Sequence, residues 1–226
     1  MAKYEWSETF ISIEGEGPLS GIPTAYIRFA RCNFTCGGFN NPNNEIDKKG
    51  YAVLPFNPED FNSVNDLTPM EVGCDTQYSV NPEFAHMWRK GTEDDLAEEL
   101  MKVVPHGQWK NPVTGLRTML SLTGGEPTQR WKTLPTLLNH SAFDDLETVL
   151  IETNCAVPFK EKLIDGLTEW VDSGNARGLT RQIIWSNSPK LSASGEEWEK
   201  AREAIFDYVE ENAVEEAGLE DVSLGD

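Results

Sequence analysis

The stretch Arg117-Thr-Met-Leu-Ser-Leu-Thr-Gly-Gly-Glu-Pro127 decides the fold class. Residues 117–123 form an apolar-rich run of strand length, the pattern of a buried strand. It stops at a Gly pair followed by Glu126 and Pro127. Downstream, residues 148–152 have the same form and end in Glu152-Thr-Asn154. The strand-like run 181–186 leads into Ser186-Asn-Ser-Pro-Lys190. Upstream, Thr24–Ala30 reads as a strand after Pro23. Helical patterns fall between these runs. Thr92 and Asp95 mark a capped helix start, with Leu96, Leu100 and Val103 on one face. Residues 134–138 and 159–171 read as two more helices. A last helix is expected after Ser194 and Glu197, with Trp198, Ala201, Ile205 and Val209 sharing a face, and an acidic tail over 213–226. Strands alternating with helices imply a parallel sheet with right-handed crossovers. The polar residues that end the strands then gather at one rim, where such folds hold their ligands.

The chain has 226 residues, 38% hydrophobic and 25% charged. That is a globular composition with room for a single domain over 1–226. No run approaches the roughly 20 apolar residues of a membrane helix, and residues 1–6 lack the apolar core of a secretory signal. The expectation is a cytoplasmic protein with no membrane partner. Nineteen basic residues stand against 38 acidic ones, a net charge of −19. Such a surface repels phosphate backbones, which argues against nucleic acid as a partner. It leaves a nucleoside-like small molecule open.

Residues 37–73 break the alternation. Asn and Pro dominate pieces such as 40–44 and 57–60, apolar periodicity is absent, and only a short hairpin over 51–56 is suggested. Loops this long inside compact domains are uncommon and often functional. Cysteines flank the segment. Cys32 and Cys36 precede it, just after the 24–30 strand; Cys74, followed by Asp75 and Thr76, ends it; Cys155 sits beside the 152–154 rim. Closely spaced thiols in a chain of this type point to metal or redox chemistry rather than disulfides. Cys-x3-Cys suits a loop wrapped round a soft metal centre; four buried small side chains are the plainer alternative. Gly124 and Gly125 let a ligand approach the main chain closely, or only make a turn. His86, His106 and His140 match no motif, and Trp88, Trp109, Trp131, Trp170 and Trp198 read as packing.

Taken together, Cys32-x3-Cys36, Cys74-Asp-Thr76 and Gly124-Gly-Glu-Pro127 resemble the radical S-adenosylmethionine enzymes. The usual loop of those enzymes is a compact Cys-x3-Cys-x2-Cys. Here Phe39 stands where the third cysteine is expected, so residues 37–73 read as an insertion inside the cluster loop. Phe10-Ile-Ser-Ile-Glu-Gly-Glu-Gly17, Gly21-x-Pro23 and Tyr26-Ile-Arg28, with Glu152-Thr-Asn154 and Ser188-Pro-Lys190, narrow the resemblance to the 7-carboxy-7-deazaguanine synthase family. It covers most of residues 8–196 outside the insertion.

The resemblance implies an α/β fold, a partial (βα) barrel of the radical S-adenosylmethionine type with a long insertion in the cluster-binding loop. It implies conversion of 6-carboxy-5,6,7,8-tetrahydropterin to 7-carboxy-7-deazaguanine with loss of ammonia, in 7-deazapurine biosynthesis. The implied cofactors are a [4Fe-4S] cluster, S-adenosylmethionine and Mg2+. Cys32, Cys36 and Cys74 would bind the cluster and Thr76 the magnesium. Gly73, Asp75, Gly124, Gly125, Glu126, Glu152, Asn154, Ser188, Pro189 and Lys190 would meet S-adenosylmethionine. Ile13, Glu14, Gly15, Glu16, Arg28 and Thr123 would meet the pterin, with Arg28 clamping its carboxylate. An electron donor such as flavodoxin or ferredoxin is implied, and a homodimer is compatible with the family. Two departures stand out. Glu14 replaces the usual Gln, and one helix with an acidic tail replaces the usual segment after Ser-Pro-Lys. Two other readings remain beside this one. A radical activase acting on a partner's glycine would not need the Ser12–Gly17 loop or Arg28. A zinc module built on the cysteines and a histidine such as His86 would leave Gly-Gly-Glu-Pro and Ser-Pro-Lys unexplained.

Overall fold

A computed structural model describes residues 3–157 and 160–196. Its frame is a six-stranded mixed sheet. In chain order the strands are β1 (Tyr4–Ile13), β2 (Pro23–Phe29), β3 (Arg89–Gly91), β4 (Met119–Gly124), β5 (Thr148–Thr153) and β6 (Gln182–Asn187). Their order across the sheet is β3-β1-β2-β4-β5-β6. β1 pairs antiparallel with β2 and β3, whereas β2, β4, β5 and β6 run parallel. The helices are α1 (Gln77–Val80), α2 (Glu93–Val103), α3 (Leu134–Leu138) and α4 (Glu161–Ala176). α2, α3 and α4 each fall in the connection between consecutive parallel strands, as parallel pairing requires.

Alternation along the strands separates two environments. Ile27 and Phe29 of β2, Leu120 and Leu122 of β4, and Val149 and Ile151 of β5 face the helices. There they pack with Leu96, Leu100, Leu134, Leu137, Leu163 and Trp170. The intervening residues face the other side and are mostly polar: Tyr26 and Arg28, Ser121 and Thr123, Glu152 and Ser186, with Leu150 and Ile184 the apolar exceptions. Register aligns the strand ends, pairing Arg28 with Thr123 and Glu152 with Ser186.

The expected capping box is present: Thr92 accepts from the Asp95 amide and Asp95 accepts from the Thr92 amide. Several boundaries differ from the sequence reading. β4 starts at Met119 because Arg117 bridges Lys110 and the Thr118 amide donates to Trp109 O. α4 runs on to Ala176, where Gly174 makes room for Arg181; a Cβ there would lie 1.9 Å from Arg181 Cδ. α1 and β3 escape the sequence reading because four and three residues are too short to show a period. The helix expected beyond Ser194 and the acidic tail lie outside the described residues. Ser194 itself ends a 3-10 turn over Ser192–Ser194, its hydroxyl donating to Leu191 O.

Residues 37–73 form no strand pair over 51–56; one isolated bridge joins Ile46 and Ala52. The segment is pinched at its neck, where the Gly73 amide donates to Phe39 O at 2.7 Å. Gly73 has φ +78°, and a Cβ on it would lie 2.5 Å from Ala52 Cβ. The excursion is also tied to α1. Tyr51 Oη donates to Val80 O and Gln77 Nε2 donates to Ala52 O. Among the described residues no helix is long and apolar enough to cross a membrane.

Candidate active site

A cleft of about 390 Å³ opens at the C-terminal ends of β2, β4, β5 and β6. Cys32, Cys36 and Cys74 all line it, despite the residues between the second and third. The neck at Phe39 and Gly73 explains this, because it brings the two ends of the 37–73 segment back together. Burial pushes all three thiols above their ordinary range, Cys32 to about 12, and each is raised further by a neighbouring cysteine or carboxylate. Lys190 opposes this at Cys36 and Cys74. Cys155 does not line the cleft; its Sγ points to Thr153 O.

Among the described residues, no three His, Cys, Asp or Glu side chains are grouped to hold one metal ion. A multi-iron cluster makes a different demand, because its thiolates bind separate irons around a cavity. Three cysteines on the wall of one cleft, Cys36 buried and Cys32 and Cys74 partly so, fit that demand. His86 does not join them: its ring nitrogens face Glu83 O and Phe61 O. The zinc arrangement with His86 therefore lacks its fourth ligand.

The rim motifs converge on the same cleft. Gly124, Gly125, Glu152, Asn154, Ser188 and Lys190 line it, as do Asp75 and Thr76. The Gly pair has a reason the sequence reading did not give. A Cβ on Gly124 would lie 2.4 Å from Phe29 N and O, and one on Gly125 1.7 Å from Arg31 O. The strand end is pressed onto the cysteine loop, so the glycines are required by chain-on-chain approach. Asn154 donates from Nδ2 to Asn33 Oδ1 at 2.9 Å and faces Cys32 Sγ at 3.5 Å. Thr76 Oγ1 lies 3.4 Å from Cys74 Sγ.

Three expected cofactor contacts are placed elsewhere. Glu126 is buried, and its carboxylate accepts from Thr128 N, Thr128 Oγ1, Thr153 Oγ1 and Asn154 N. It ties β4 to β5 instead of reaching into the cleft. Gly73 holds the neck, and Pro189 is exposed without lining the cleft.

The cleft continues into a cavity of about 540 Å³ through the shared residues Glu16, Tyr26, Glu152 and Ser186. Glu14 and Gly15 line this second part. The Glu14 carboxylate is engaged by its own loop, accepting from the Gly15 and Glu16 amides and from Tyr26 Oη. It shapes the loop and holds Tyr26, whose ring stacks on Phe10 at 4.6 Å. Ile13 is 63% exposed and lines neither part. Glu152 accepts from Ser121 Oγ at 2.6 Å and Thr123 Oγ1 at 2.7 Å, which fixes it between the two parts. Arg28 lines the cleft while its Nε donates to Glu8 at 2.8 Å. Tyr78 Oη donates to the same Glu8 oxygen. Tyr26, Ser186 and Phe39 stood in the quoted motifs without a role in the site, and Ser121 was not singled out from sequence. Ser121 had a signal, as a hydroxyl alternating with leucines on a strand otherwise apolar.

No family model matches the chain. A 7-carboxy-7-deazaguanine synthase from Methanopyrus kandleri is 28% identical over 167 residues, covering 74% of this chain and 54% of that protein. One from Geobacter sulfurreducens is 27% identical over 154 residues, covering 66% and 48%. The chain thus spans about half the length of the curated relatives it matches. A crystal structure of QueE from Escherichia coli overlaps 93% of this chain and 91% of that one, with 16% identity and a TM-score of 0.37. By sequence the chain is similar to the 7-carboxy-7-deazaguanine synthases.

Proposed function

We propose that this chain is a radical S-adenosylmethionine enzyme that converts 6-carboxy-5,6,7,8-tetrahydropterin to 7-carboxy-7-deazaguanine with loss of ammonia. The observation that carries the reading is convergence. Three cysteines split by residues 37–73 share one cleft with the rim motifs and with Arg28. The sheet is inferred to be a partial barrel of the radical S-adenosylmethionine type.

Cys32, Cys36 and Cys74 would hold the four-iron cluster. Bound beside it, S-adenosylmethionine would supply hydrogen-atom abstraction from a substrate carbon, chemistry that belongs to the cofactor. Gly124, Gly125 and Asn154 on one side and Ser188 and Lys190 on the other would hold S-adenosylmethionine. Asp75 and Thr76 offer the hard oxygen donors that magnesium takes alongside substrate oxygens and water. Arg28 would pair with the substrate carboxylate, and Glu16 would accept from ring N–H groups. Glu152 would face the ring with an orientation set by Ser121 and Thr123. An external one-electron donor of flavodoxin or ferredoxin type completes the reaction.

The test is an anaerobic assay of the reconstituted full chain with the carboxypterin, S-adenosylmethionine, dithionite and magnesium. The expected result is a brown protein that forms the deazapurine. A chain that takes the cluster and cleaves S-adenosylmethionine but leaves the pterin unchanged would overturn the substrate assignment.

A further inference from the structure

Beyond β6 the chain returns to the cysteine loop. Gly38 N donates to Ser194 O at 2.9 Å. Gly38 and Gly195 meet backbone to backbone, since a Cβ on Gly38 would lie 2.6 Å from Gly195 N. The Glu196 carboxylate then closes the contact. Its Oε1 accepts from Thr35 N at 2.7 Å, Thr35 Oγ1 at 3.0 Å and Cys36 N at 2.6 Å. Cys36 sits at φ +49°, a conformation that L side chains rarely adopt. Such a conformation persists where the surroundings hold it. Successive amides in a turn of this kind form a concavity for an anion, and Glu196 fills it.

We propose that Glu196 is a positioning residue for the cluster loop. Its carboxylate fixes the backbone at Thr35 and Cys36, aims the Cys36 sulfur into the cleft, and sets a negative charge beside that ligand. This rests on the reading of Cys32, Cys36 and Cys74 as cluster ligands. Partners one step behind a metal ligand orient it and tune the centre. Hydrogen bonding and charge near a cluster set its potential. A carboxylate beside Cys36 opposes addition of an electron, so it lowers the reduction potential.

The test uses the full chain, reconstituted anaerobically, with Glu196→Gln, Glu196→Asp and Glu196→Ala. Iron loss to a chelator and the midpoint potential are measured. Glu196→Ala should lose iron about tenfold faster than the parent. Glu196→Asp should restore most of the retention. Glu196→Gln keeps an acceptor oxygen and loses the charge, so it should hold iron nearly as well while its potential moves positive. If Glu196→Ala does not fold, the Glu196→Gln potential decides alone. Unchanged chelation rates and potentials across the variants would overturn the proposal. A parent chain that takes no four-iron cluster would instead overturn the enzyme reading. The clasp is then judged by alkylation of Cys36 in the metal-free chain, expected to be faster in Glu196→Ala; equal rates would overturn it.

Discussion

Glu126 shows how a single carboxylate in a motif can do a different job from the one its position suggests. Its four donors come from the β4 rim and the end of β5; a hydrogen bond to a charged group contributes roughly 1.5–3 kcal/mol, and bonds within one network do not add. Glu126→Ala is therefore expected to lower the denaturant midpoint of the metal-free chain, by a stability loss of about 2–4 kcal/mol. An unchanged midpoint with lost S-adenosylmethionine cleavage would return Glu126 to the ligand. Arg28 carries the opposite expectation. Its side chain is 17% exposed, its Nε is held by Glu8 and it lines the cleft, where a substrate carboxylate would meet it. Removing one partner of a buried charge pair costs roughly 3–5 kcal/mol, on the order of a hundredfold or more in binding. Arg28→Ala should raise KM for the carboxypterin by that order without changing cluster content. Arg28→Lys should do less, since it keeps the charge and loses the planar fork. Among the cysteines, Cys74→Ala should abolish the four-iron absorption and Cys155→Ala should leave it intact. The reverse result would show that residues 37–73 are not an insertion in the cluster loop.

At the scale of elements, the neck of the 37–73 segment carries the most weight. Tyr51 and Ala52 are buried and bind α1 through Val80 O and Gln77, while Phe39 lines the cleft. Replacing 40–72 with a two-residue linker should keep the cluster, because Phe39 and Gly73 remain. It should also lower the melting temperature, because α1 loses buried partners worth roughly 1–3 kcal/mol each when left unsatisfied. Retained stability with lost cluster would reverse both statements. The alternation of β4, β5 and β6 with α3 and α4 was legible because apolar runs of strand length end at polar rims. Thr92 and Asp95 were legible because a capping box is local. The cysteine set and the Gly pair were legible as types and spacings. What the sequence hid was direction and long-range partnership. Nothing local says that Glu126 turns inward, that Gly125 must clear Arg31 O, or that Glu196 reaches back to Cys36. Each of those is fixed by a chain crossing between segments far apart in sequence, and a one-dimensional pattern carries no record of crossings.

For the whole molecule, the excess of acid sets the terms of approach. A net charge of −19 repels itself and repels an anionic substrate, while the pairing charge inside the cleft is shielded from solvent. Salt separates the two effects. Exposed charges are screened over about 10 Å at 0.1 M and about 3 Å at 1 M, whereas buried pairs are screened much less. Self-repulsion of a highly charged compact state weakens with screening. Raising sodium chloride from about 0.05 to 1 M across that screening range should therefore raise the melting temperature of the metal-free chain. It should also raise kcat/KM for the carboxypterin, because the barrier to encounter falls while the Arg28 contact persists. This is the opposite of electrostatic steering, in which kcat/KM falls steeply with ionic strength. Arg28→Ala separates the two contributions, since the encounter effect should remain in that variant and the overall affinity should not. A kcat/KM that falls with salt in the parent chain would mean that the local field of Arg28 and Lys190 governs approach, and that the acidic surface is too far from the cleft mouth to matter.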